Sequence, residues 1–251
     1  MKRICLALAI LTADLLASPA TGAEFDSNGI KLHYTIEGKG EPVVLIHGLH
    51  SSAQLNWQLP GITTALAKDH QVIALDCRGH GQSGKPTADE QYGEAMAEDV
   101  VRLLDHLKLQ QAHVIGYSMG GMITLKLLVK HPERVKSAVL GGMGWLKTGG
   151  VLQQTWERMP GREGAAVPPA CVRGLGRLAV TETELKAVRV PVTVIVGEGD
   201  PVRRLYVEPL QGARPDWPVR IIAGAGHLNC IAKPEFQAEL RKALGSGAGS
   251  R

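Results

Sequence analysis

The chain has 251 residues, of which 44% are hydrophobic and 21% are charged. These values are typical of a soluble globular domain and exclude a disordered chain. The formal net charge of +4 arises from 28 Lys and Arg against 24 Asp and Glu, and the basic residues are scattered along the sequence. Because nucleic-acid-binding domains concentrate their basic residues on one face, we expect no nucleic-acid partner.

Residues 1–23 have the pattern of a secretory signal peptide. A basic start precedes an apolar stretch, and residues 18–23 are small. Cleavage after Ala23 or after Ala20 would satisfy a signal peptidase, so we expect an exported chain, periplasmic or secreted. A membrane anchor is the alternative, but the apolar run is shorter than the ~20 residues of a spanning helix and contains Asp14. We therefore expect no stable membrane insertion once the signal is removed.

The predicted elements alternate along the chain. Residues 25–29 and 30–38 predict strands that lead into a continuous apolar run at 42–48, which is typical of a strand buried on both faces. Further strands are predicted within 70–81, 112–118, 134–143, 190–200 and 218–227. Helices are predicted at 56–68, 93–109, 120–131 and 233–244. This alternation predicts an α/β fold, with a mostly parallel central sheet and helices on both faces.

The alternation fails between residues 144 and 189. That stretch is too long for an ordinary connection, so we expect a lid insertion with short helices of its own. The globular domain is predicted to span 24–244, with a flexible tail at 245–251. The oligomeric state is left open.

Cysteines and histidines give little evidence of cross-links or metals. The three cysteines that follow the predicted signal are Cys77, Cys171 and Cys230. They are odd in number and widely spaced, which does not indicate a disulfide framework, although one pair is left open. His47 and His50 lie three residues apart without a further ligand cluster, so we expect neither a metal nor another cofactor.

A strand, a serine between glycines and a helix follow one another at 112–131. Gly116, Ser118 and Gly120 form the pattern G-x-S-x-G. In this context the serine occupies a strained turn, its small neighbours let strand and helix pass close together, and the helix N-terminus favours developing negative charge. A chance Gly-Ser turn is the alternative, but the placing of strand and helix favours Ser118 as a nucleophile.

A nucleophilic serine needs a base, and the base needs an orienting acid. Asp200 and His227 follow Ser118 in the chain order of this architecture, and each ends a predicted strand. Since open α/β sheets build their sites at the carboxyl ends of strands, we predict a catalytic triad of these three residues. Asp216 and Glu198 are the fallback acids.

The transition state of acyl transfer also needs an oxyanion hole. We predict the backbone N–H groups of Leu49 and Met119 as its donors. Gly48 lets the loop that carries Leu49 bend toward Ser118. His47 is expected to support the loop by hydrogen bonding and not to take part in the chemistry.

Five motifs in this order resemble those of the α/β-hydrolase superfamily, in its serine esterase- and lipase-like branch with a short lid. They are HG at 47–48, DCRGHGQS at 76–83, GYSMGG at 116–121, GEGD at 197–200 and GAGH at 224–227. The resemblance extends over residues 30–243. It implies that Asp76, Arg78 and Ser83 shape a loop beside the sheet and are not catalytic.

The resemblance also narrows the range of reactions that we expect. Relatives that act on haloalkanes or epoxides use an aspartate nucleophile, which argues against both reactions for a chain with Ser118. We expect hydrolysis of a small-molecule ester, with a short to medium acyl group, or of a lactone, through an acyl-enzyme. The alternatives are a carbon–carbon bond hydrolase of aromatic-ring degradation and a non-catalytic α/β-hydrolase that binds a small molecule. Met143, Trp145 and Trp156 are candidates for the substrate pocket, although Trp156 is equally suited to anchoring the lid.

Overall fold

The computed structural model describes residues 21–162 and 164–245. The predicted signal peptide lies outside the described residues as far as residue 20, and so does the predicted flexible tail from residue 246 onward. Within the described ranges, no helix is long and apolar enough to span a membrane.

A single sheet of eight strands runs through the described residues. The strands are β1 (Thr21–Ser27), β2 (Ile30–Glu37), β3 (Glu41–Ile46), β4 (His70–Leu75), β5 (Ala112–Tyr117), β6 (Val135–Gly141), β7 (Val192–Gly197) and β8 (Val219–Ile222). Their spatial order is β1-β2-β4-β3-β5-β6-β7-β8. The pairs β1–β2 and β2–β4 are antiparallel and all other pairs are parallel. The predicted α/β fold with a mostly parallel sheet is confirmed.

Helices cover both faces of this sheet. The α-helices are α1 (Ile62–Leu66), α2 (Glu94–His106), α3 (Met119–Lys130), α4 (Val151–Arg158), α5 (Pro169–Gly174), α6 (Glu182–Ala187), α7 (Glu208–Ala213) and α8 (Pro234–Ala243). Short 3-10 or π turns lie at Gln54–Gln58, Asp89–Gln91, Pro132–Arg134, Leu175–Leu178, Arg203–Val207 and Cys230–Ala232. The apolar residues of α2 and α3 pack in one core cluster, and those of α1 and α8 in another. The central strands are therefore buried on both sides, which is why their sequences are continuously apolar.

A tight hairpin joins the first two strands. Asn28 and Gly29 connect β1 to β2 with φ values of 56° and 84°, the left-handed pair that a two-residue turn requires. The first three residues of β1 pair with β2. Cleavage after Ala23 would remove those three residues, whereas cleavage after Ala20 would leave the whole strand.

The helix predicted at 56–68 forms as two shorter pieces. A π turn at Gln54–Gln58 is followed by Pro60 and Gly61, and only then by α1. Pro60 has no N–H to donate, and Gly61 has a φ of 75°, which interrupts a right-handed helix. The apolar periodicity at 56–68 predicts a helix, but Pro60 and Gly61 split that helix into two pieces.

The predicted insertion lies between β6 and β7 and contains α4, α5 and α6. Hydrogen bonds tie it to the body of the domain. The buried Lys126 of α3 donates through Nζ to Ala179 O at 2.6 Å, and the backbone N–H of the buried Trp145 donates to Tyr206 O at 2.9 Å. The insertion is thus held against the core by buried polar contacts as well as by its apolar side chains.

The three cysteines of the described residues, Cys77, Cys171 and Cys230, are buried free thiols. The pair that the sequence left open is therefore not formed in this structure.

Candidate active site

Ser118 lies at a strained corner between β5 and α3. Its backbone has φ 53° and ψ −116°, a conformation that residues with a side chain rarely adopt. Two glycines allow the close approach around it. A Cβ atom at Gly116 would lie 2.0 Å from Gly120 O, and one at Gly120 would lie 2.0 Å from Ile46 O. The glycines of the G-x-S-x-G pattern are therefore required by packing, and the turn they permit leaves Ser118 partly exposed.

This packing predicts a large loss of stability for Gly120→Ala. The added methyl group would collide with a backbone carbonyl that cannot move away, so we expect the free energy of unfolding to fall by about 3 kcal/mol or more. Urea denaturation measures this change. Gly212→Ala is the matched control, because that glycine lies in α7 with nothing within 4 Å of the added atom, and it should be neutral or slightly stabilising. Equal effects of the two substitutions would contradict this account of the corner.

The structure brings Ser118, His227 and Asp200 together. The distance from Ser118 Oγ to His227 Nε2 is 2.9 Å, and that from His227 Nδ1 to Asp200 Oδ2 is 2.8 Å. Asp200 follows β7 and His227 follows β8, so three separate strands deliver these side chains to one edge of the sheet. With Nδ1 bonded to a carboxylate, Nε2 is left to accept the serine proton.

Burial and hydrogen bonding fix the position of the Asp200 carboxylate. The Asp200 side chain is 0% exposed. Its second oxygen, Oδ1, accepts the Val202 N–H at 2.9 Å, so both carboxylate oxygens are engaged. His227 keeps 26% of its side chain exposed, which leaves the imidazole open to a substrate.

Neither fallback acid forms a hydrogen bond with the His227 imidazole. Asp216 pairs with Arg214, with 2.7 Å between Oδ2 and Nη2, and Glu198 accepts the Gly224 N–H at 3.0 Å. Asp200 is therefore the acid that the geometry favours. The catalytic roles of the three residues stay a prediction.

The predicted oxyanion donors belong to two loops that meet at the serine. A Cβ atom at Gly48 would lie 3.3 Å from Ser118 Cβ, so the loop that carries Leu49 passes directly beside the nucleophile. Met119 is the first residue of α3, and neither its N–H nor that of Leu49 donates to another residue in the described parts of the chain. Two free N–H groups next to the serine are what an oxyanion hole requires.

Two side chains hold the Leu49 loop in place. Asn56 Oδ1 accepts the Gly48 N–H at 2.7 Å. The fully buried His47 donates from Nδ1 to Gly48 O at 2.7 Å and accepts the Cys77 N–H at Nε2. Burial lowers the pKa of His47, so the ring stays neutral and keeps both bonds. The supporting role predicted for His47 agrees with these contacts. The similar role of Asn56 was not predicted, because Asn56 belongs to no sequence motif.

The D-x-R-G-x-G-x-S loop is held together by its own polar residues. Asp76 accepts N–H groups from Ala53 and Gln82, and the Ser83 hydroxyl donates to Asp76 O at 2.5 Å. Arg78 forms a buried ion pair with Asp99 at 2.5 Å. These contacts agree with the expectation that the loop is structural.

The three candidate pocket residues all make contacts with the body of the domain. Met143 packs on Gly121, where an added Cβ would lie 2.6 Å from Met143 Cβ. Trp145 is 5% exposed, and its backbone N–H donates to Tyr206 O at 2.9 Å. Trp156 donates through Nε1 to the Tyr206 hydroxyl at 3.1 Å. An anchoring role for Trp156 is therefore supported by a contact, and a role of these residues in binding substrate stays a prediction.

A second serine has a similar set of neighbours at the opposite edge of the sheet. Ser137 Oγ lies 2.7 Å from His113 Nδ1, and His113 Nε2 lies 3.2 Å from Glu41 Oε2. Ser137 is in the middle of β6, without a strained turn or a helix N-terminus behind it. The same three side-chain types thus occur there without the corner that distinguishes Ser118.

No metal site is evident in the described ranges, where no group of three or more His, Cys, Asp or Glu side chains could hold an ion.

Comparison with known proteins establishes the family. The model of the alpha/beta hydrolase fold family matches residues 41–178, which is more than half of the chain. The chain belongs to the α/β-hydrolase family. The matched range includes Ser118 but ends before Asp200 and His227, so the placing of those two residues rests on the geometry above.

The relatives of this α/β hydrolase carry names of different chemistries. The 2-hydroxymuconate semialdehyde hydrolase of Pseudomonas sp. (strain CF600) is 41% identical over 128 residues, which are 50% of this chain and 44% of that protein. The carbamate hydrolase RutD, as it is named in Azorhizobium caulinodans, is 39% identical over 126 residues, which are 50% of this chain and 46% of that protein. The chain thus matches less than half the length of each relative.

A solved structure shows the same fold over nearly the whole chain. Epoxide hydrolase VrEH1 from Vigna radiata superposes with a TM-score of 0.72 at 18% identity, covering 90% of this chain and 98% of that one. A semialdehyde, a carbamate and an epoxide therefore appear in the names of proteins similar to this one. Family membership alone leaves the bond that this chain cleaves undecided.

Proposed function

We propose that this α/β hydrolase is a serine hydrolase that cleaves carboxylic esters through an acyl-enzyme on Ser118. The observation that carries the proposal is the continuous hydrogen-bonded line from Ser118 Oγ to His227 and on to Asp200, at 2.9 and 2.8 Å. It starts at a serine held in a strained turn, as nucleophiles of this fold are.

The mechanism follows from the groups at the site. His227 Nε2 takes the hydroxyl proton as Ser118 Oγ attacks the ester carbonyl carbon. The N–H groups of Leu49 and Met119 stabilise the oxyanion, each contributing about 3–4 kcal/mol to the transition state. Asp200 holds the imidazole in the required tautomer and stabilises its positive form. The protonated His227 then gives its proton to the departing alcohol.

Deacylation repeats these steps with water. Water enters as the nucleophile, His227 removes its proton, and collapse of the second tetrahedral intermediate releases the acid and restores the Ser118 hydroxyl. These steps use only residues that lie together in the structure.

We propose short to medium acyl esters or lactones as the substrates. The insertion is short and is held to the core by the bonds from Lys126 to Ala179 O and from the Trp145 N–H to Tyr206 O, which favours a site open to small substrates over one that needs a large lid movement. The semialdehyde hydrolase among the relatives is not named for an ester, so carbon–carbon bond cleavage is the competing reaction.

A panel of substrates separates these reactions. It contains p-nitrophenyl esters from acetate to palmitate, a lactone, an aminoacyl amide and a 2-hydroxymuconate semialdehyde. We expect the highest kcat/KM on the short to medium esters or the lactone. Preference for the semialdehyde would favour carbon–carbon bond cleavage over ester hydrolysis as the reaction of this protein. If no member of the panel is turned over, a small-molecule-binding protein is favoured.

A further inference from the structure

We propose that Tyr117 is a positioning residue for His227, and that its hydroxyl holds the backbone of the loop that carries the imidazole. This inference rests on the proposed function, because it concerns the base of the proposed triad. It assigns a role to the variable residue that directly precedes the nucleophile in the G-x-S-x-G pattern.

A direct contact joins Tyr117 to the histidine loop. The Tyr117 hydroxyl donates to His227 O at 2.5 Å, across 110 residues of sequence. The two rings also lie near each other, with 5.7 Å between their centroids and 36° between their planes. Tyr117 therefore contacts both the backbone and the side chain of the residue that must accept the serine proton.

The loop before His227 needs such a restraint. Its sequence is Gly-Ala-Gly, and Gly224 has a φ of 60°, so the backbone there is intrinsically permissive. Four hydrogen bonds hold these three residues: Gly199 N–H to Ala225 O at 2.9 Å, Gly226 N–H to the Asn229 side chain at 2.7 Å, Gly224 N–H to the Glu198 side chain at 3.0 Å, and Cys230 N–H to Gly226 O at 3.1 Å. The carbonyl of His227 itself accepts the hydrogen bond of the Tyr117 hydroxyl.

Tyr117 is itself rigidly placed. It is 4% exposed, and its ring packs edge-on against Phe236 with 5.8 Å between centroids. On another side it lies against Gly141 and Gly142, where an added Cβ would approach the ring to 2.9 and 3.0 Å. Burial raises the pKa of Tyr117 well above its ordinary value, so the hydroxyl stays protonated and able to donate.

The consequence is a mechanical link between nucleophile and base. Ser118 and Tyr117 are consecutive residues, and the Ser118 N–H is fixed by a bond to Gly141 O at 2.8 Å. Ser118 therefore supplies the attacking oxygen, and the adjacent Tyr117 holds the loop that carries the proton acceptor, His227. A small displacement between these two groups is costly, since a misplacement of about 1 Å can cost about 100-fold in rate.

The test is Tyr117→Phe, which removes the hydroxyl and keeps the ring. We expect kcat on the best ester to fall by about 10- to 100-fold, with KM within about twofold of the parent enzyme. Tyr92→Phe is the matched control. Tyr92 is also buried, at 2% exposed, and its hydroxyl also donates to a backbone carbonyl, that of Pro86 at 2.7 Å, outside the triad. It should lower the melting temperature to a similar degree and leave kcat unchanged.

A second readout does not depend on activity. The Nδ1 proton of His227, bonded to Asp200, is expected to give a far-downfield proton NMR signal in the parent and in Tyr92→Phe, and a broadened or absent one in Tyr117→Phe. An unbroadened signal in Tyr117→Phe overturns the inference, and so does a kcat no lower than that of Tyr92→Phe. If the parent hydrolyses no ester, the proposed function fails, and the NMR comparison still decides the role of Tyr117.

Discussion

Ser118→Ala is expected to lower kcat/KM on p-nitrophenyl esters by about 10⁴- to 10⁶-fold. The Ser118 hydroxyl is the proposed nucleophile, and no other described serine combines a strained strand-to-helix turn with a bonded imidazole in this way. Alanine removes one atom and meets the same backbone strain as serine at φ 53°. The variant should therefore stay folded, with an unchanged circular dichroism spectrum.

Ser137→Ala is the matched control for this loss. Ser137 also has a histidine nitrogen at 2.7 Å and a glutamate beyond it, but it lies within a strand. Its removal should leave kcat/KM within about twofold of the parent. Substantial turnover by folded Ser118→Ala, or a comparable loss in Ser137→Ala, would contradict the assignment of Ser118 as the nucleophile.

Asp200→Asn is expected to lower kcat by about 10⁴-fold near neutral pH, with a smaller change in KM. Asparagine can keep the bond from the Val202 N–H to Oδ1, so the loop should hold its shape. At the other position an amide group would face His227 Nδ1 in place of a carboxylate oxygen. The imidazole would then lose its negative partner, and the tautomer that accepts the serine proton at Nε2 would be disfavoured.

Asp216→Asn is the control for this second prediction. Asp216 is one of the two fallback acids; it is 61% exposed and pairs with Arg214, whose side chain is 9% exposed. Its substitution should leave kcat unchanged. Any loss should appear in stability instead, because the buried Arg214 would lose this partner while keeping its bonds to Leu185 O and Val188 O. A larger kcat loss in Asp216→Asn than in Asp200→Asn would require another assignment of the acid.

The sequence predicts the parts of the molecule whose signals are local. Strands buried on both faces appear as continuous apolar runs such as Val43–Ile46, and the nucleophile corner appears as glycines around Ser118. Chain order then placed Asp200 and His227 at the ends of the right strands. These inferences needed no knowledge of distant contacts, because parallel strands bring their carboxyl ends to one edge of the sheet.

The supporting contacts could not be predicted in the same way. Asn56 holds Gly48, and Tyr117 holds the carbonyl of His227, through bonds that depend on where two loops meet in space. Neither residue type is required by a motif. The bonds from the Trp145 N–H and from the Trp156 side chain to Tyr206 likewise depend on how the insertion folds back.

Labelling with a fluorophosphonate probe, followed by intact-mass measurement and peptide mapping, tests the central claim most directly. The reaction needs an activated serine hydroxyl and an oxyanion site, and it needs no knowledge of the natural substrate. We predict one adduct per chain, on Ser118, formed much more slowly in His227→Ala. An unlabelled Ser118 in folded protein, or an adduct that maps to Ser137, would contradict the assignment.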